Sequence, residues 1–176
     1  MRAGAVETAL VATMLLAGCK AAPAPQATAS PVDSECASVP QVALAGRVTD
    51  AAGVLAAAEE SRLDARLAAY EQKSRHQMVV LTTASLAGQP IDTYATCTGN
   101  RWGIGRKGQD DGILILVAPN ERQARVATGS GMRTILTDAK AAGVIEKMLP
   151  HFKARDYAGG VDAAITAVAA ETGAGR

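Results

Sequence analysis

The apolar residues of this chain follow two different periods. Two short segments, at residues 77–82 and 113–117, consist mainly of consecutive apolar residues and have the length and branching of strands that are buried on both faces. Residues 122–128 follow a tight turn and alternate apolar with polar positions, which predicts the return arm of a hairpin and an edge strand. We therefore expect a small sheet with residues 113–117 at its centre.

Four other segments have helical spacing, with apolar side chains every three or four residues. Two of them cover residues 59–73 and 91–101, and two more follow Asp138 and Asp156, which are predicted to be their N-caps. The order helix, strand, helix, hairpin, helix, helix predicts an α/β fold in which a small mixed sheet carries helices on both faces.

Residues 101–118, RWGIGRKGQDDGILILVA, join the second helix to the central strand. Within this stretch, residues 103–108 match the pattern G-x-G-x-x-G literally. In a dinucleotide site the pattern follows a strand and opens a helix, because the helix N-terminus holds the pyrophosphate. Here it follows a helix and opens a strand, so we predict Rossmann-like layering without a dinucleotide site.

The N-terminus resembles a bacterial lipoprotein signal. Arg2 precedes an apolar segment, residues 9–16, which is too short for a bilayer span of about 20 residues. Residues 16–19, LAGC, resemble the site at which the thiol of Cys19 takes a diacylglycerol and becomes the mature N-terminus. The alternative is an ordinary signal peptide with a chance cysteine. Lys20, in place of aspartate, favours the outer membrane by the same resemblance.

These features predict three segments. Residues 1–18 are expected to be the signal peptide, and residues 19–45, which have four prolines and no hydrophobic period, a solvated tether. Residues 46–176 are long enough for one compact core. The predicted protein is anchored in the lipid membrane through acylated Cys19 and faces the periplasm of a bacterial envelope.

Besides Cys19, the chain has two cysteines, Cys36 and Cys97. An even pair in an oxidising compartment predicts a disulfide bond. The alternative is two unrelated thiols, with Cys97 serving as a small apolar residue on a helix.

The composition excludes one class of partner. The chain has 18 Lys+Arg against 17 Asp+Glu, and its aromatic content is 3%. A net charge of +1 provides no field for a polyanion, and so few aromatic residues provide no stacking platform for bases. We therefore expect no nucleic-acid partner.

The adjacent carboxylates of Asp110 and Asp111 are the clearest candidate for chemistry. Two neighbouring anions repel each other unless positive charge lies beside them. A hard cation such as Ca²⁺ or Mg²⁺ removes that repulsion. The alternative is a turn in which one aspartate caps its own backbone and the other pairs with Arg106 or Lys107.

Signatures of covalent hydrolases and of zinc sites are missing from the sequence. His76 and His151 are isolated near the ends of elements. We predict that His76 is a surface or packing residue and that His151 favours the negative end of a helix. Catalytic residues stay unassigned.

Several blocks of the chain resemble the TPM domain family, which includes thylakoid-lumen proteins linked to photosystem repair and bacterial envelope proteins. The blocks are VTDAAGVL, QMVVLT, WGIGRKGQDDGILILVA, GSGM with LTD, and HFKARDY, in this order between residues 46 and 172. The resemblance implies a three-layer α/β/α sandwich.

The resemblance also implies a divalent-cation site, because the family has acidic residues at the positions of Asp50, Asp110 and Asp111. The chain departs from the family after G-x-G, where members commonly have Leu-Glu and this chain has Met132-Arg133. The positive charge of Arg133 is expected to weaken cation binding nearby.

Two functions from different classes follow from the resemblance. The first is a non-catalytic, cation-binding accessory module that supports a membrane protein complex of the envelope. The second is a metal-dependent acid phosphatase acting on phosphomonoesters, with Arg106 and Arg133 as candidate phosphate contacts. The absence of a nucleophile or histidine base in a motif favours the first.

Overall fold

A computed structural model describes residues 35–175 of the chain. The predicted signal peptide and the lipidation site Cys19 lie outside the described residues, as does most of the predicted tether. In the described part, no helix combines the length and the apolar character needed to cross a membrane.

A four-stranded mixed sheet forms the centre of the fold. Its strands lie side by side in chain order: β1 Val48–Asp50, β2 Met78–Thr82, β3 Ile113–Ala118 and β4 Gln123–Thr128. The first three strands are parallel, whereas β4 returns antiparallel to β3 and forms one edge, as its alternating pattern predicts. All six residues of β3 are buried, which confirms the central strand.

Four long helices cover the two faces of this sheet: α1 Ala57–Ser74, α2 Ile91–Trp102, α3 Asp138–Lys153 and α4 Tyr157–Glu171. One core packs Ile113 and Ile115 of β3 against α1, α3 and α4. The other packs Leu114 and Leu116 against α2. Because successive side chains of a strand point to opposite faces, a strand that is apolar throughout serves both cores. The α/β/α sandwich is therefore confirmed.

Two local details differ from the sequence predictions. The sequence pattern does not predict β1, because three residues are too few to show a period. The predicted N-cap at Asp138 is wrong, since Thr137 caps α3 and accepts the N–H of Lys140 at 3.4 Å. The predicted cap at Asp156 is present, and its side chain accepts the N–H of Gly159 at 2.8 Å.

Residues 36–45, which we call the strap, are held against α2. A disulfide bond joins Cys36 to Cys97 of α2, and their Cα atoms are 5.4 Å apart. Cys36 and Val39 are buried in the core on the α2 side of the sheet.

Two side chains at the end of α2 fasten the rest of the strap. The guanidinium of Arg101 donates hydrogen bonds to the carbonyl oxygens of Cys36 and Val39. The indole of Trp102 donates to the carbonyl oxygen of Val42 at 2.8 Å. Residues 36–45, the last ten of the predicted tether, are therefore attached to the folded unit by covalent and polar contacts, although they have no hydrophobic period.

Candidate functional site

The glycine loop, residues 103–112, connects α2 to β3 at the amino end of the parallel strands. Gly103 ends α2 with a φ of 59°, a left-handed conformation that glycine adopts without strain. The N–H of Gly105 donates to the side-chain oxygen of Gln77 at 2.8 Å, which fixes the loop to the start of β2. The loop is thus positioned by both central strands.

The backbone of the turn that follows β4 packs directly against the backbone of the glycine loop. The N–H of Gly131 donates to the carbonyl oxygen of Asp110 at 3.0 Å. A Cβ atom on Gly129 would overlap this same carbonyl group, and one on Gly112 would overlap the carbonyl of Ile104. Glycine is therefore required at both positions by close approach of the backbone.

Asp111 points into the protein and is 3% exposed. One carboxylate oxygen accepts the backbone N–H of Arg106 at 2.7 Å. The other accepts the Nε–H of the Arg106 guanidinium at 2.6 Å and lies 3.1 Å from Nδ1 of His76. This arrangement is the ion-pair alternative that the sequence leaves open for the loop.

The pKa of Asp111 reflects these contacts. Burial alone would raise the pKa, but the hydrogen bonds from the backbone and guanidinium of Arg106 and from His76 outweigh it and lower the pKa from 3.8 to about 2. Asp111 is therefore an anion in the folded protein at every pH near neutrality.

Asp110 has a different environment from its neighbour. It is exposed, its φ is 49°, and its carboxylate accepts the hydroxyl of Ser130 at 3.0 Å. The left-handed backbone at Asp110 turns the two adjacent carboxylates apart, one to the surface and one to the interior.

Asp50 lies at the other end of the sheet. It pairs in register with Thr82 at the carboxyl end of β2, whereas Asp111 precedes β3 at the amino end, where Ile113 pairs with Met78. Asp50 accepts the backbone N–H of Leu55 at 2.8 Å and the hydroxyl of Thr82. Asp111 lies level with His76, six residues before Thr82 on the neighbouring chain segment, so at about 3.3 Å per residue Asp50 and Asp111 are roughly 20 Å apart. The structure thus corrects the expectation that all three aspartates form one site.

The carboxylates do not fit a preformed divalent-cation site. No group of three or more His, Cys, Asp or Glu side chains able to hold a metal ion occurs among residues 35–175. Both oxygens of Asp111 already accept hydrogen bonds from Arg106, and the guanidinium places positive charge where a cation would bind.

The two predicted phosphate contacts lie in different surroundings. The guanidinium of Arg106 is paired with Asp111, at 2.5 Å from its second nitrogen. Arg133 is exposed and lines a groove beside β4 together with Arg125 and Thr128.

The sequence prediction for His76 misses its contact with Asp111. Met78 pairs with Ile113 in the parallel register, so the residues two positions earlier on each chain segment, His76 and Asp111, also lie side by side. His76 lies two residues before β2 and Asp111 two residues before β3, and this equal spacing is the sequence signal of their contact. The spacing has meaning only once the strands are known to be parallel and in this register.

A second histidine–carboxylate pair lies at the junction of α3 and α4. Nδ1 of His151 is 2.8 Å from the carboxylate of Asp156. The hydrogen bond from His151 and that from the N–H of Gly159 lower the pKa of Asp156. The pair is exposed. Asp156 is the N-cap of α4, and its contact with His151 of α3 stabilises the junction between the two helices.

A mixed sheet between helical layers, with a glycine-rich acidic loop before its central strand, defines the class of this domain as an α/β/α sandwich. The model of the TPM domain matches residues 48–171, and the chain belongs to this family. The strap lies outside the matched residues.

The solved structures that share the fold include the following three. The N-terminal domain of a protein from P. gingivalis has 29% identity and a TM-score of 0.66, over 71% of this chain and 80% of its own. The N-terminal domain of the cg2496 protein from Corynebacterium glutamicum has 19% identity and a TM-score of 0.59, over 73% of this chain and 80% of its own. The BA42 protein from Bizionia argentinensis has 16% identity and a TM-score of 0.56, over 66% of this chain and 83% of its own. No curated protein matches the chain.

Proposed function

We propose that this TPM domain is a non-catalytic module of the bacterial envelope, tethered to the membrane through acylated Cys19, that supports a membrane protein complex. The observation that carries the proposal is the internal use of Asp111. The most buried acid of the candidate site is held by Arg106 and His76 and stabilises the loop. A carboxylate whose two oxygens are engaged in this way stabilises the conformation of the loop, and neither oxygen is free to bind a substrate.

Cation binding remains part of the proposal in a weaker form. To bind Ca²⁺ or Mg²⁺, Asp111 would have to leave Arg106, whereas exposed Asp110 would have to leave only Ser130. We therefore expect cation binding in the millimolar range at best, centred on Asp110.

The phosphatase alternative has less support. Arg106 is neutralised by Asp111, and no unpaired histidine or serine nucleophile adjoins the loop among the described residues. A phosphatase needs identifiable groups for attack and for charge stabilisation.

A direct assay compares the two functions. The chain with Cys19→Ser is assayed for hydrolysis of p-nitrophenyl phosphate at acidic and neutral pH, with and without millimolar Ca²⁺ or Mg²⁺. We expect no turnover above a buffer control. Metal-dependent turnover that disappears in the double variant Asp110→Ala, Asp111→Ala would contradict the proposal.

Association with a complex is tested in the bacterium that encodes the chain. Chemical cross-linking followed by size separation of detergent-solubilised membranes should place the acylated chain in a high-mass species. The Cys19→Ser variant should leave the membrane fraction. A chain that stays monomeric and cross-links to nothing would refute the proposed role.

A further inference from the structure

Exposed cations gather where α1 ends beside the glycine loop. His76, which follows α1, has its ring 3.1 Å from Asp111, and Asp111 also binds the guanidinium of Arg106. The residues next to these contacts, Arg75 and Lys107, are therefore neighbours across the two segments. The exposed cations of the two segments are Lys73, Arg75, Arg106 and Lys107.

The carboxylates of this region neutralise only part of that charge. Asp111 is buried in its pair with the loop arginine, and Glu71 is paired with Arg47 at 2.9 Å. Asp110 is exposed and forms no ion pair among the described residues. Three exposed cations also have no ion-pair partner within residues 35–175, namely Lys73, Arg75 and Lys107. Three unpaired cations against one unpaired anion leave an excess of two positive charges, although the chain as a whole carries only +1.

An exposed leucine of the strap lies at the same end of the domain. Leu44 is 44% exposed and is one of two large hydrophobic side chains with such exposure in the described part. Val42, two residues earlier, accepts the indole of Trp102 at the end of α2, and Arg47, three residues later, binds Glu71 in the last turn of α1. Leu44 is therefore held at the end of the domain where both helices finish. Apolar burial and attraction to anionic lipids add when a protein binds a membrane surface.

The chain from the proposed lipid anchor enters the domain on this side. Cys36 is bonded to Cys97, and its carbonyl oxygen accepts a hydrogen bond from Arg101. Both partners lie in the last turns of α2, which ends at the glycine loop. Residues 20–35 connect this point to Cys19. A domain that is held at a membrane through Cys19 therefore has the cations and Leu44 near its point of attachment.

We propose that the basic end, which consists of Leu44, Lys73, Arg75, Arg106 and Lys107, docks the domain on a membrane surface that carries anionic phospholipid headgroups. The lipid phosphates meet the unpaired cations, and the leucine side chain enters the interface. Each basic side chain near such a surface strengthens binding about fivefold. This inference rests on the proposed tether, because an anchor keeps a weakly binding surface at a high local concentration of lipid.

The far end of α3 provides a matched comparison. Lys140, at the start of α3, binds Glu171 at the end of α4, and the adjacent Thr172 binds Tyr70 near the end of α1. α3 therefore starts at the basic end and finishes away from it. Its second half has an exposed leucine, Leu149, and the segment from there to its C-terminus has exposed cations outside any ion pair of the described residues: Lys147, Lys153 and Arg155. Since the chain from the anchor enters at the other end, we expect this surface to face away from the membrane.

The test uses the acylated chain, purified from membranes and reconstituted in vesicles with a trace of lipid that has a dansyl group on its headgroup. The vesicles contain phosphatidylcholine alone or with about 30% phosphatidylglycerol. Energy transfer to the dansyl groups from Trp102, the single tryptophan of the chain, reports how close the basic end lies to the surface. We expect at least about twofold more transfer on the anionic vesicles, and the difference should vanish at about 0.5 M NaCl because salt screens the attraction. Equal transfer on the two kinds of vesicle would overturn the proposal.

Two triple variants with the same change in net charge locate the docking surface. The first replaces cations of the basic end: Lys73→Gln, Arg75→Gln and Lys107→Gln. The second replaces cations at the far end of α3: Lys147→Gln, Lys153→Gln and Arg155→Gln. The extra transfer on anionic vesicles should disappear in the first variant and persist in the second. The reverse result would place the contact at the far end of α3 and refute the basic end.

A single variant tests the apolar part of the surface. Leu44→Ser should reduce the extra transfer on anionic vesicles without abolishing it, because the cations remain. An unchanged transfer would remove Leu44 from the docking surface.

The docking and the proposed function can fail separately. Mass spectrometry of the chain from membranes shows whether Cys19 is acylated. If it is not, the anchor fails, and the Cys19→Ser chain is sedimented with the same vesicles. Stronger binding to the anionic vesicles that is lost in the first triple variant would then support docking, and equal binding would refute it. If energy transfer shows docking but cross-linking finds no complex in the envelope, the accessory function fails and the docking stands.

Discussion

Asp110 and Asp111 show how far the environments of adjacent residues can diverge. One carboxylate is buried against a guanidinium and an imidazole, and the other is exposed with a hydroxyl as its partner. The sequence presents them as an equivalent pair, and only the backbone conformation at Asp110 separates them. A prediction from spacing alone therefore counts two ligands where the fold leaves one available.

This difference in environment predicts that matched substitutions of the two aspartates lower the free energy of unfolding by unequal amounts. Asp111→Asn should lower the free energy of unfolding by about 2 kcal/mol at neutral pH, because it removes the anion that Arg106 and His76 bind. Asp110→Asn should change it by less than about 0.5 kcal/mol, since asparagine also tolerates a positive φ. Urea denaturation of both variants measures the difference. Equal costs would show that Asp111 is not the stabilising member.

The lowered pKa of Asp111 also predicts how stability depends on pH. Because the folded pKa of about 2 lies below the ordinary value of 3.8, the ionised carboxyl stabilises the folded state above pH 3.8. That contribution is lost as the pH falls from 3.8 through about 2. Thermal denaturation at a series of acidic pH values should show a shallower loss for Asp111→Asn than for the unchanged chain. The pKa of Asp156 is also lowered, so some acid sensitivity should persist in the variant.

At the scale of elements, the crossing of the glycine loop and the turn after β4 is the most constrained part of the fold. Gly112→Ala should lower the free energy of unfolding by about 2–3 kcal/mol, because its methyl group would overlap the backbone of Ile104. Gly143→Ala is the matched control within α3, where nothing lies within 4 Å of the added Cβ atom. Since alanine favours a helix, the control should gain about 0.5–1 kcal/mol. Chemical denaturation tests both signs.

The elements differ in how well the sequence predicts them, and the reason is physical. Long periodic segments such as α1 and the continuous apolar run of β3 specify their own structure through burial. The three residues of β1 become a strand only through pairing with β2, which no local pattern reveals. The N-cap of α3 is Thr137 in place of neighbouring Asp138 because either side chain can cap, and the backbone decides between them.

The candidate site depends even more on long-range structure. The predicted ion pair between the loop carboxylates and Arg106 is local in sequence, and one of the two alternatives contains it. The separation of Asp50 from the loop follows from the register of three parallel strands. The presence of an acidic residue at each of three sequence positions carries no information about the distances between their side chains.

At the scale of the whole molecule, the strap adds a covalent constraint to the family domain. The disulfide closes a sequence separation of 61 residues, which in the chain-entropy description stabilises the folded state by about 4 kcal/mol. The double variant Cys36→Ala, Cys97→Ala should lose about 2–4 kcal/mol, since engineered losses often fall below that description. Denaturation in urea with and without a reductant measures the loss, and the reductant should have no effect on the double variant.

A second substitution tests the hydrogen bonds that attach the strap to α2. Arg101→Gln removes the donors to the carbonyl groups of Cys36 and Val39 while the disulfide stays. We expect a loss of about 1 kcal/mol. Faster proteolysis within residues 37–45 should accompany it, with mass spectrometry locating the cut. Unchanged proteolysis would mean that the disulfide alone holds the strap.

The strap also decides how the domain carries mechanical load. A pull from the N-terminal side enters the folded unit at Cys36 and passes through a covalent bond into the middle of α2. From α2 it reaches the centre of the sheet through the buried cluster that Tyr94 and Ala95 form with Leu114 and Leu116 of β3. β1, with only three paired residues at the opposite edge, lies off this path and is spared from peeling. A force applied to the chain before Cys36 would therefore load α2 first and leave the short pairing of β1 with β2 unstretched.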